Sequence, residues 1–211
     1  MRIISGKYRG HQLVGFKGSH IRPTTDRVKE SVFNILAPEV DGARILDLFS
    51  GTGNLMIEAL SRGAASVDAV EQHPGSLKVI RANLEKLKIE HGFKIVASDV
   101  FKFLKKYNDA PYDIIFVDPP FTEKWADRVL TELSLSKVFG PHTIIMIEAA
   151  SKEKVGETYN SLKKYKERHF GDKIVFFFSS GRDSQDTSES GGPDGGKEQE
   201  GSENGGGGIS G

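Results

Sequence analysis

From residue 44 onward, short apolar runs alternate with stretches whose apolar residues recur at helical spacing. The apolar runs are Ile45–Phe49, Val67–Val70, Phe93–Ala97, Ile114–Val117 and Ile144–Ile147. The helical patterns that follow the first four runs cover 54–62, 75–88, 99–106 and 123–135. Because this alternation is typical of βαβ units, it predicts a parallel sheet with helices on both faces.

The pattern changes after residue 150. A further helical stretch is expected near 152–163, followed by strand candidates Tyr165–Phe170 and Lys173–Phe178 on either side of Gly171-Asp172. A tight turn at that dipeptide makes the last two strands antiparallel. The prediction is therefore a doubly wound α/β fold of the Rossmann-like kind, with a mostly parallel seven-stranded sheet.

The first forty residues predict a small piece that needs a larger body to dock on. Strand candidates 1–5 and 11–16 are separated by five residues, which indicates a β-hairpin. Thr24 or Thr25 can cap a following helix, and Pro38 is expected to end it. We expect a domain of 41–180 behind this extension.

Residues 181–211 differ in composition from the rest of the chain. They contain seven acidic residues, Asp183, Asp186, Glu189, Asp194, Glu198, Glu200 and Glu203, against Arg182 and Lys197. This Gly-rich stretch has a single aliphatic residue, Ile209, so we expect a disordered tail. Because the tail carries −5 and the whole chain 0, the remainder carries about +5.

Several classes of protein are excluded or disfavoured by composition. The chain has no cysteine, which excludes disulfides, thiolate metal sites and cysteine nucleophiles. We predict no metal site. No apolar run approaches the length of a membrane span, and the chain begins with a strand-like pattern instead of a signal sequence. We expect a cytoplasmic monomer.

A glycine loop joins the first central strand to its helix. The loop and the residue before it comprise Asp47, Phe49, Ser50, Gly51, Thr52 and Gly53. Glycines let the backbone approach a ligand closely, but Met56 stands where a dinucleotide fingerprint has its third glycine. A ligand without a pyrophosphate, such as S-adenosylmethionine, fits this loop better. Asp47 can bind the ammonium group of that ligand or orient the loop.

Two further acids follow strands of the same predicted sheet. Glu71 ends the second strand, where a carboxylate can accept hydrogen bonds from both ribose hydroxyls. Asp99 follows the third strand, where it can accept from an adenine amino group while the Val100 N–H meets a ring nitrogen. Either acid could instead be a loop residue, and Asp99 a helix cap.

The fourth strand runs directly into Asp118-Pro119-Pro120-Phe121. Two prolines stiffen the segment, so the Asp118 carboxylate and the Pro119 carbonyl can both face one amine. Phe121 offers a face on which a flat base can stack, worth about 1–3 kcal/mol for an exposed nucleotide. In isolation, a simple turn with a buried Phe would explain the motif equally well.

With these motifs, residues 1–180 resemble the RsmD-type bacterial 16S ribosomal RNA guanine-N2 methyltransferases. The matching stretches are Arg2-Ile3-Ile4-Ser5-Gly6 with Arg9-Gly10, Arg22-Pro23-Thr24-Thr25-Asp26-Arg27-Val28-Lys29-Glu30 with Phe33-Asn34, Leu46-Asp47-Leu48-Phe49-Ser50-Gly51-Thr52-Gly53, and Val117-Asp118-Pro119-Pro120-Phe121. The resemblance implies a class I S-adenosylmethionine-dependent methyltransferase fold. It also implies methyl transfer to the exocyclic N2 amine of one guanine in 16S ribosomal RNA, presented by an assembling small subunit.

Positive charge in the front piece suits such a partner. Residues 1–30 carry seven basic side chains against Asp26 and Glu30. A solvated positive face and a polyanion contact are both open on charge alone. Our RNA-binding candidates are Arg2, Arg9, Arg22 and Arg27. Arg27 could equally pair with Glu30 along its helix.

Two other classes of function stay open. One is an amine methyltransferase acting on adenine N6 in RNA or DNA, or on a protein amide; enzymes of that kind usually carry Asn-Pro-Pro, whereas this chain has Asp118. The other is a nucleotide-binding module without catalysis, against which the Asp-Pro-Pro motif argues.

Overall fold

The computed structural model describes residues 1–15, 25–120 and 125–181. Its helices are α1 (Asp26–Val40), α2 (Asn54–Ser61), α3 (Pro74–Lys86), α4 (Val100–Lys106) and α5 (Ala126–Ser134). Its strands are β1 (Arg44–Leu48), β2 (Ser66–Glu71), β3 (Phe93–Ala97), β4 (Tyr112–Val117), β5 (Phe139–Ala150), β6 (Thr158–Tyr159), β7 (Leu162–Phe170) and β8 (Lys173–Ser179). Within the described ranges, no helix is long and apolar enough to cross a membrane.

The strands form one sheet in the order β3-β2-β1-β4-β5-β8-β7-β6. The pairs from β3 to β5 are parallel, and those involving β8, β7 and β6 are antiparallel. The predicted α/β Rossmann-like class is confirmed. Since parallel strands β1, β2, β3 and β4 end at one edge, the residues that follow them are brought together there.

The sheet has eight strands, not seven, and the helix predicted near 152–163 is wrong. Asn160 has a φ of 52°, which no α-helix contains, and the chain turns there so that β6 pairs with the start of β7. Tyr159 packs its ring 5.8 Å from that of Phe178, and Leu162 is fully buried. Their apolar spacing suited a helix, but burial on the antiparallel end of the sheet decided the structure.

Alternate residues of the strands point to two separate cores. We call the face that carries Ile45, Phe116 and Val175 the front face, and α1, α2 and α3 cover it. The back face carries Leu48 and Ile115 and packs against α4 and α5. Both faces of the parallel strands are therefore apolar, which explains why those runs lack a polar alternation.

Residues 1–15 dock on the front face as a minimal hairpin. One antiparallel bridge pairs Arg2 with Gln12, and Ile3 and Leu13 enter the front core. Residue 16 of the second predicted strand lies outside the described residues. The separation of 1–40 from 41–180 stays a proposal.

Helix α1 begins as expected but ends later than predicted. The Thr25 hydroxyl accepts from the Val28 N–H at 3.4 Å, which confirms the cap. The prediction that Pro38 ends the helix is wrong, because α1 continues to Val40. Leu36 and Val40 are buried, and their packing offsets the one backbone hydrogen bond that proline cannot donate.

Candidate active site

The glycine loop lies at the carboxyl edge of the sheet, between β1 and α2. Three of its residues adopt left-handed backbone conformations: Phe49 (φ 85°), Gly51 (φ 56°) and Gly53 (φ 77°). The N–H groups of Phe49 and Ser50 both donate to the Val70 carbonyl, at 3.2 and 3.0 Å. Phe49 holds a conformation that costs a side-chain-bearing residue about 1–2 kcal/mol, and such strain concentrates at ligand sites.

Asp47 is the buried acid beneath this loop and is 1% exposed. Its Oδ2 accepts from the Ser50 hydroxyl at 2.9 Å and from the Met56 N–H at 3.2 Å. Its Oδ1 is buried and has no hydrogen-bond partner within the described part of the chain. Burial, with the negative charge of Asp118 adding, raises the pKa of Asp47 to about 7. A cationic donor at Oδ1 would satisfy this oxygen, so the residue fits the ammonium group of S-adenosylmethionine.

Glu71 ties the second strand to the glycine loop. Its Oε2 accepts from the Gly51 N–H at 2.9 Å, and its Oε1 accepts from the His73 N–H at 2.7 Å. Each carboxylate oxygen retains a second lone pair, so both can also accept from ribose hydroxyls. The ribose contact stays a prediction, while the contact with the loop is an additional role.

Asp99 caps α4, as the alternative interpretation expected. Its Oδ1 accepts from the Lys102 N–H at 3.0 Å, and Val100 is buried in the first turn on the back face. The carboxylate has further acceptor capacity, because a cap uses only part of it. Its predicted contact with adenine, and that of the Val100 N–H, stay predictions.

Asp118 follows β4 at the same edge of the sheet. It is half-buried, Pro119 is buried and Pro120 is exposed. Because β1 and β4 are parallel neighbours, the strand ends bearing Asp47 and Asp118 lie side by side. The negative charge of Asp118 accordingly contributes to the raised pKa of Asp47. Phe121, the last residue of the predicted catalytic motif, lies outside the described residues.

A buried ion pair beside Asp118 was missed at the level of sequence. Glu148, near the end of β5, accepts a hydrogen bond from the Lys173 ammonium, and both side chains are buried. Burial, followed by the charge of Asp118, raises the pKa of Glu148 to about 7, although Lys173 opposes the shift. An acid within the apolar run Ile147-Glu148-Ala149 was the signal that could have revealed this pair.

Comparison with known proteins places this geometry in a family. The family described as conserved hypothetical protein 95 matches residues 1–179. This chain belongs to that family. The RsmD-type resemblance read from the motifs is thereby confirmed.

Individual relatives agree with the family. The Ribosomal RNA small subunit methyltransferase D of Escherichia coli K12 is 36% identical over 149 residues, which are 71% of this chain and 74% of the relative. The solved structure of yhhF from Escherichia coli is 32% identical, with a TM-score of 0.76 over 88% of this chain and 99% of that one. A structure of SMU.776 complexed with SAH, at 18% identity and a TM-score of 0.57 over 72% of this chain and 49% of that one, shares the fold.

The RNA-binding candidates lie in the N-terminal motifs on which the sequence resemblance was based. Arg2 is 59% exposed and pairs with Asp26 at 2.9 Å. Arg9 and Arg27 are exposed, and the described residues show no ion pair between Arg27 and Glu30. Arg22 lies outside the described residues. The RNA contacts of all four arginines stay predictions.

Proposed function

We propose that this protein transfers a methyl group from S-adenosylmethionine to the exocyclic N2 amine of a guanine in 16S ribosomal RNA. The observation that carries the proposal is the Asp118-Pro119-Pro120 segment, which leaves β4 beside the glycine loop of β1. The name of the Escherichia coli relative supports small-subunit ribosomal RNA as the substrate. A cytoplasmic location is part of the same proposal.

Four groups at the carboxyl edge hold the methyl donor. Asp47 Oδ1 receives the ammonium group, the glycine loop lines the methionine portion, Glu71 takes the ribose hydroxyls, and Asp99 with the Val100 N–H takes adenine. S-adenosylmethionine supplies a methyl group already activated on a positive sulfonium. Because Asp47 and Glu71 both lie near this edge, their negative charge favours a cationic ligand there.

Asp118 and the Pro119 carbonyl act on the acceptor. A guanine amine is a poor nucleophile because its lone pair is delocalised into the ring. Two acceptors that each take one N–H fix the amine with its lone pair toward the methyl group, at a near-attack distance of about 3–3.5 Å. In the transfer, the methyl carbon would exchange its bond to sulfur for the new bond to the amine nitrogen, leaving a neutral thioether, and the Asp118 carboxylate would accept the proton that the nitrogen gives up.

The RNA must present an unstacked base to this site. A base within a helix must leave its stack before its amine can reach a buried edge of the sheet. Arg2, Arg9, Arg22 and Arg27 contact phosphates of an assembling small subunit in this proposal, and the exposure of Arg2, Arg9 and Arg27 supports it. Such contacts fix the register of the RNA, while the pocket selects the base.

Replacement of Asp118 tests the proposal. Asp118→Ala should lower single-turnover methyl transfer by about 10²–10⁴-fold, because the amine loses its orienting acceptor. Cofactor affinity by calorimetry should stay within about twofold, since Asp118 faces the acceptor. Asp113→Ala, at the exposed opposite end of β4, is the matched control and should retain activity.

The substrates for this assay are 16S ribosomal RNA and small subunits from a strain that lacks the gene. Mass spectrometry of the nucleosides should show N2-methylguanosine. Methyladenosine, or methylated protein alone, would assign the enzyme to the alternative substrates. Normal turnover by Asp118→Ala would remove the residue from the reaction.

A further inference from the structure

Strand β7 presents different charges on its two faces. Lys164 and Glu167 pair with Phe178 and Phe176, which belong to the back face. Lys166 and Arg168 pair with Phe177 and Val175, which belong to the front face. A bulge between Lys164 and Lys166 sets this arrangement, because it adds one residue to β7.

On the back face, the positive charges are neutralised. The Lys164 ammonium lies 2.6 Å from Glu157 and 3.0 Å from Glu167. His169 also lies 3.1 Å from Glu167. Both basic side chains on this side of the strand therefore have local acidic partners, which is the usual arrangement for a solvated strand.

On the front face, Lys166 and Arg168 stand together without such partners. Among the described residues, neither forms an ion pair with an acid. Arg168 is exposed and Lys166 is half-buried. Burial, with the charge of Arg168 adding, lowers the pKa of Lys166. Two like charges next to each other do not stabilise the folded state, so stability does not explain why Lys166 and Arg168 share this face.

The position of the pair relative to the active site suggests what it contacts. Val117 pairs with Ile147, so the next residues, Asp118 and Glu148, are neighbours across β4 and β5. Glu148 pairs with Val175, and Val175 pairs with Arg168. Arg168 therefore lies three strand spacings from Asp118, about 14 Å, on the same row of the sheet.

We propose that Lys166 and Arg168 bind backbone phosphates of the RNA strand that carries the target base. This inference rests on the proposed function and adds a second contact surface to it, on the antiparallel side of the active site. The RNA would then contact β7 in addition to the N-terminal arginines proposed above. Phosphate would supply the negative partner that Lys166 and Arg168 lack among the described residues.

The test replaces the pair and compares it with an equal change elsewhere. Lys166→Gln/Arg168→Gln removes two positive charges from the front face. Lys105→Gln/Lys106→Gln removes two exposed positive charges from α4, which covers the back face. Because both variants change the net charge by −2, any difference between them reflects position.

Filter binding of 16S ribosomal RNA across a salt series gives the readout. The β7 variant should bind about tenfold more weakly at low salt, and its log–log salt slope should fall by roughly 1.4–1.8, at about 0.7–0.9 for each lost contact. Its KM for RNA should rise while kcat at saturating RNA and cofactor affinity stay near wild type. The α4 variant should keep the wild-type slope.

Three outcomes would overturn the inference. An unchanged slope in the β7 variant would show that the pair is only solvated. Equal loss in both variants would show that net charge alone attracts RNA. If the wild-type protein neither binds nor methylates this RNA, the proposed function fails, and the inference fails with it.

Discussion

Two buried carboxylates, Glu58 in α2 and Asp47 near the end of β1, differ in how completely the protein satisfies their hydrogen-bonding capacity. Glu58 is fully buried, and its oxygens accept from the Ile4 N–H at 2.8 Å, the Ser5 N–H at 3.1 Å and the Arg62 guanidinium at 2.8 Å. The Lys29 ammonium lies 3.1 Å from it. Asp47 is equally buried, yet one of its oxygens has no partner within the described part of the chain.

The difference separates a structural contact, at which Glu58 holds residues 4 and 5 and which we call the dock, from a ligand site. Around Glu58, every contact comes from the protein itself, so residues 1–15, which we call the front segment, are held without a ligand. Around Asp47, one buried acceptor has no partner among the described residues, and burying such an oxygen costs stability unless a ligand donates to it. A buried polar group that is incompletely satisfied therefore points to function, whereas a complete network points to architecture.

The two regions are connected through Asn83 on α3. Its amide nitrogen donates to the carbonyls of Thr52 and Val14, both at 3.1 Å. Its amide oxygen accepts from the Val14 N–H at 2.7 Å. One side chain thus joins the front segment to the glycine loop.

The largest expected effect is at the dock. Glu58→Gln should lower the free energy of unfolding by about 3–5 kcal/mol, because Lys29 keeps a buried charge without its partner. Urea unfolding at pH 7 measures this. Glu85→Gln, an exposed change on α3, is the control and should alter stability by less than about 0.5 kcal/mol. If Glu58→Gln lowered the free energy of unfolding no more than the control does, Glu58 would not be the structural contact that distinguishes it from Asp47.

The second prediction concerns Asp47, where removing the charge should stabilise the fold. Its pKa is raised from 3.8 to about 7, so the native state binds this proton more tightly than the unfolded state does. The resulting stability is fully present below about pH 4 and is lost as the pH rises through about 7. Asp47→Asn should therefore exceed wild type at pH 8 by about 2–4 kcal/mol.

The test at Asp47 compares urea unfolding at pH 5 and pH 8. The advantage of the Asn variant should be larger at pH 8, and its affinity for S-adenosylmethionine should fall because the ammonium loses its charged partner. The same stability difference at both pH values would mean that Asp47 is ionised throughout. Asp47 would then be satisfied like Glu58.

The smallest expected effect is at Glu71, which touches both the loop and the predicted ribose position. Glu71→Ala should weaken cofactor binding by about tenfold to a hundredfold, since hydrogen bonds to a charged acceptor contribute about 1.5–3 kcal/mol. Calorimetry measures this, with Glu90→Ala, exposed before β3, as the control. Unchanged affinity in a folded variant would show that Glu71 does not contact the ribose and only accepts a hydrogen bond from the Gly51 N–H.

Most of the fold and the centre of the site were predictable from local pattern. The parallel strands are recognisable in the sequence as apolar runs. The residues that follow them must lie at one edge of the sheet. That is why Asp47, Glu71, Asp99 and Asp118 could be named together in advance. The helix expected near 152–163 failed because periodicity does not register the turn at Asn160.

The α/β class, the glycine loop and the Asp-Pro-Pro segment could be predicted from local pattern, because each depends on neighbours within a few residues. The contacts of Glu58 could not, because its partners at residues 4 and 5 lie more than fifty positions away and meet it only in the folded chain. The same holds for the Asp47 oxygen that has no partner among the described residues, and for the bulge in β7 that puts Lys166 and Arg168 on the front face. Burial and long-range strand register determine these features, and neither can be inferred from the spacing of residues along a short stretch of sequence.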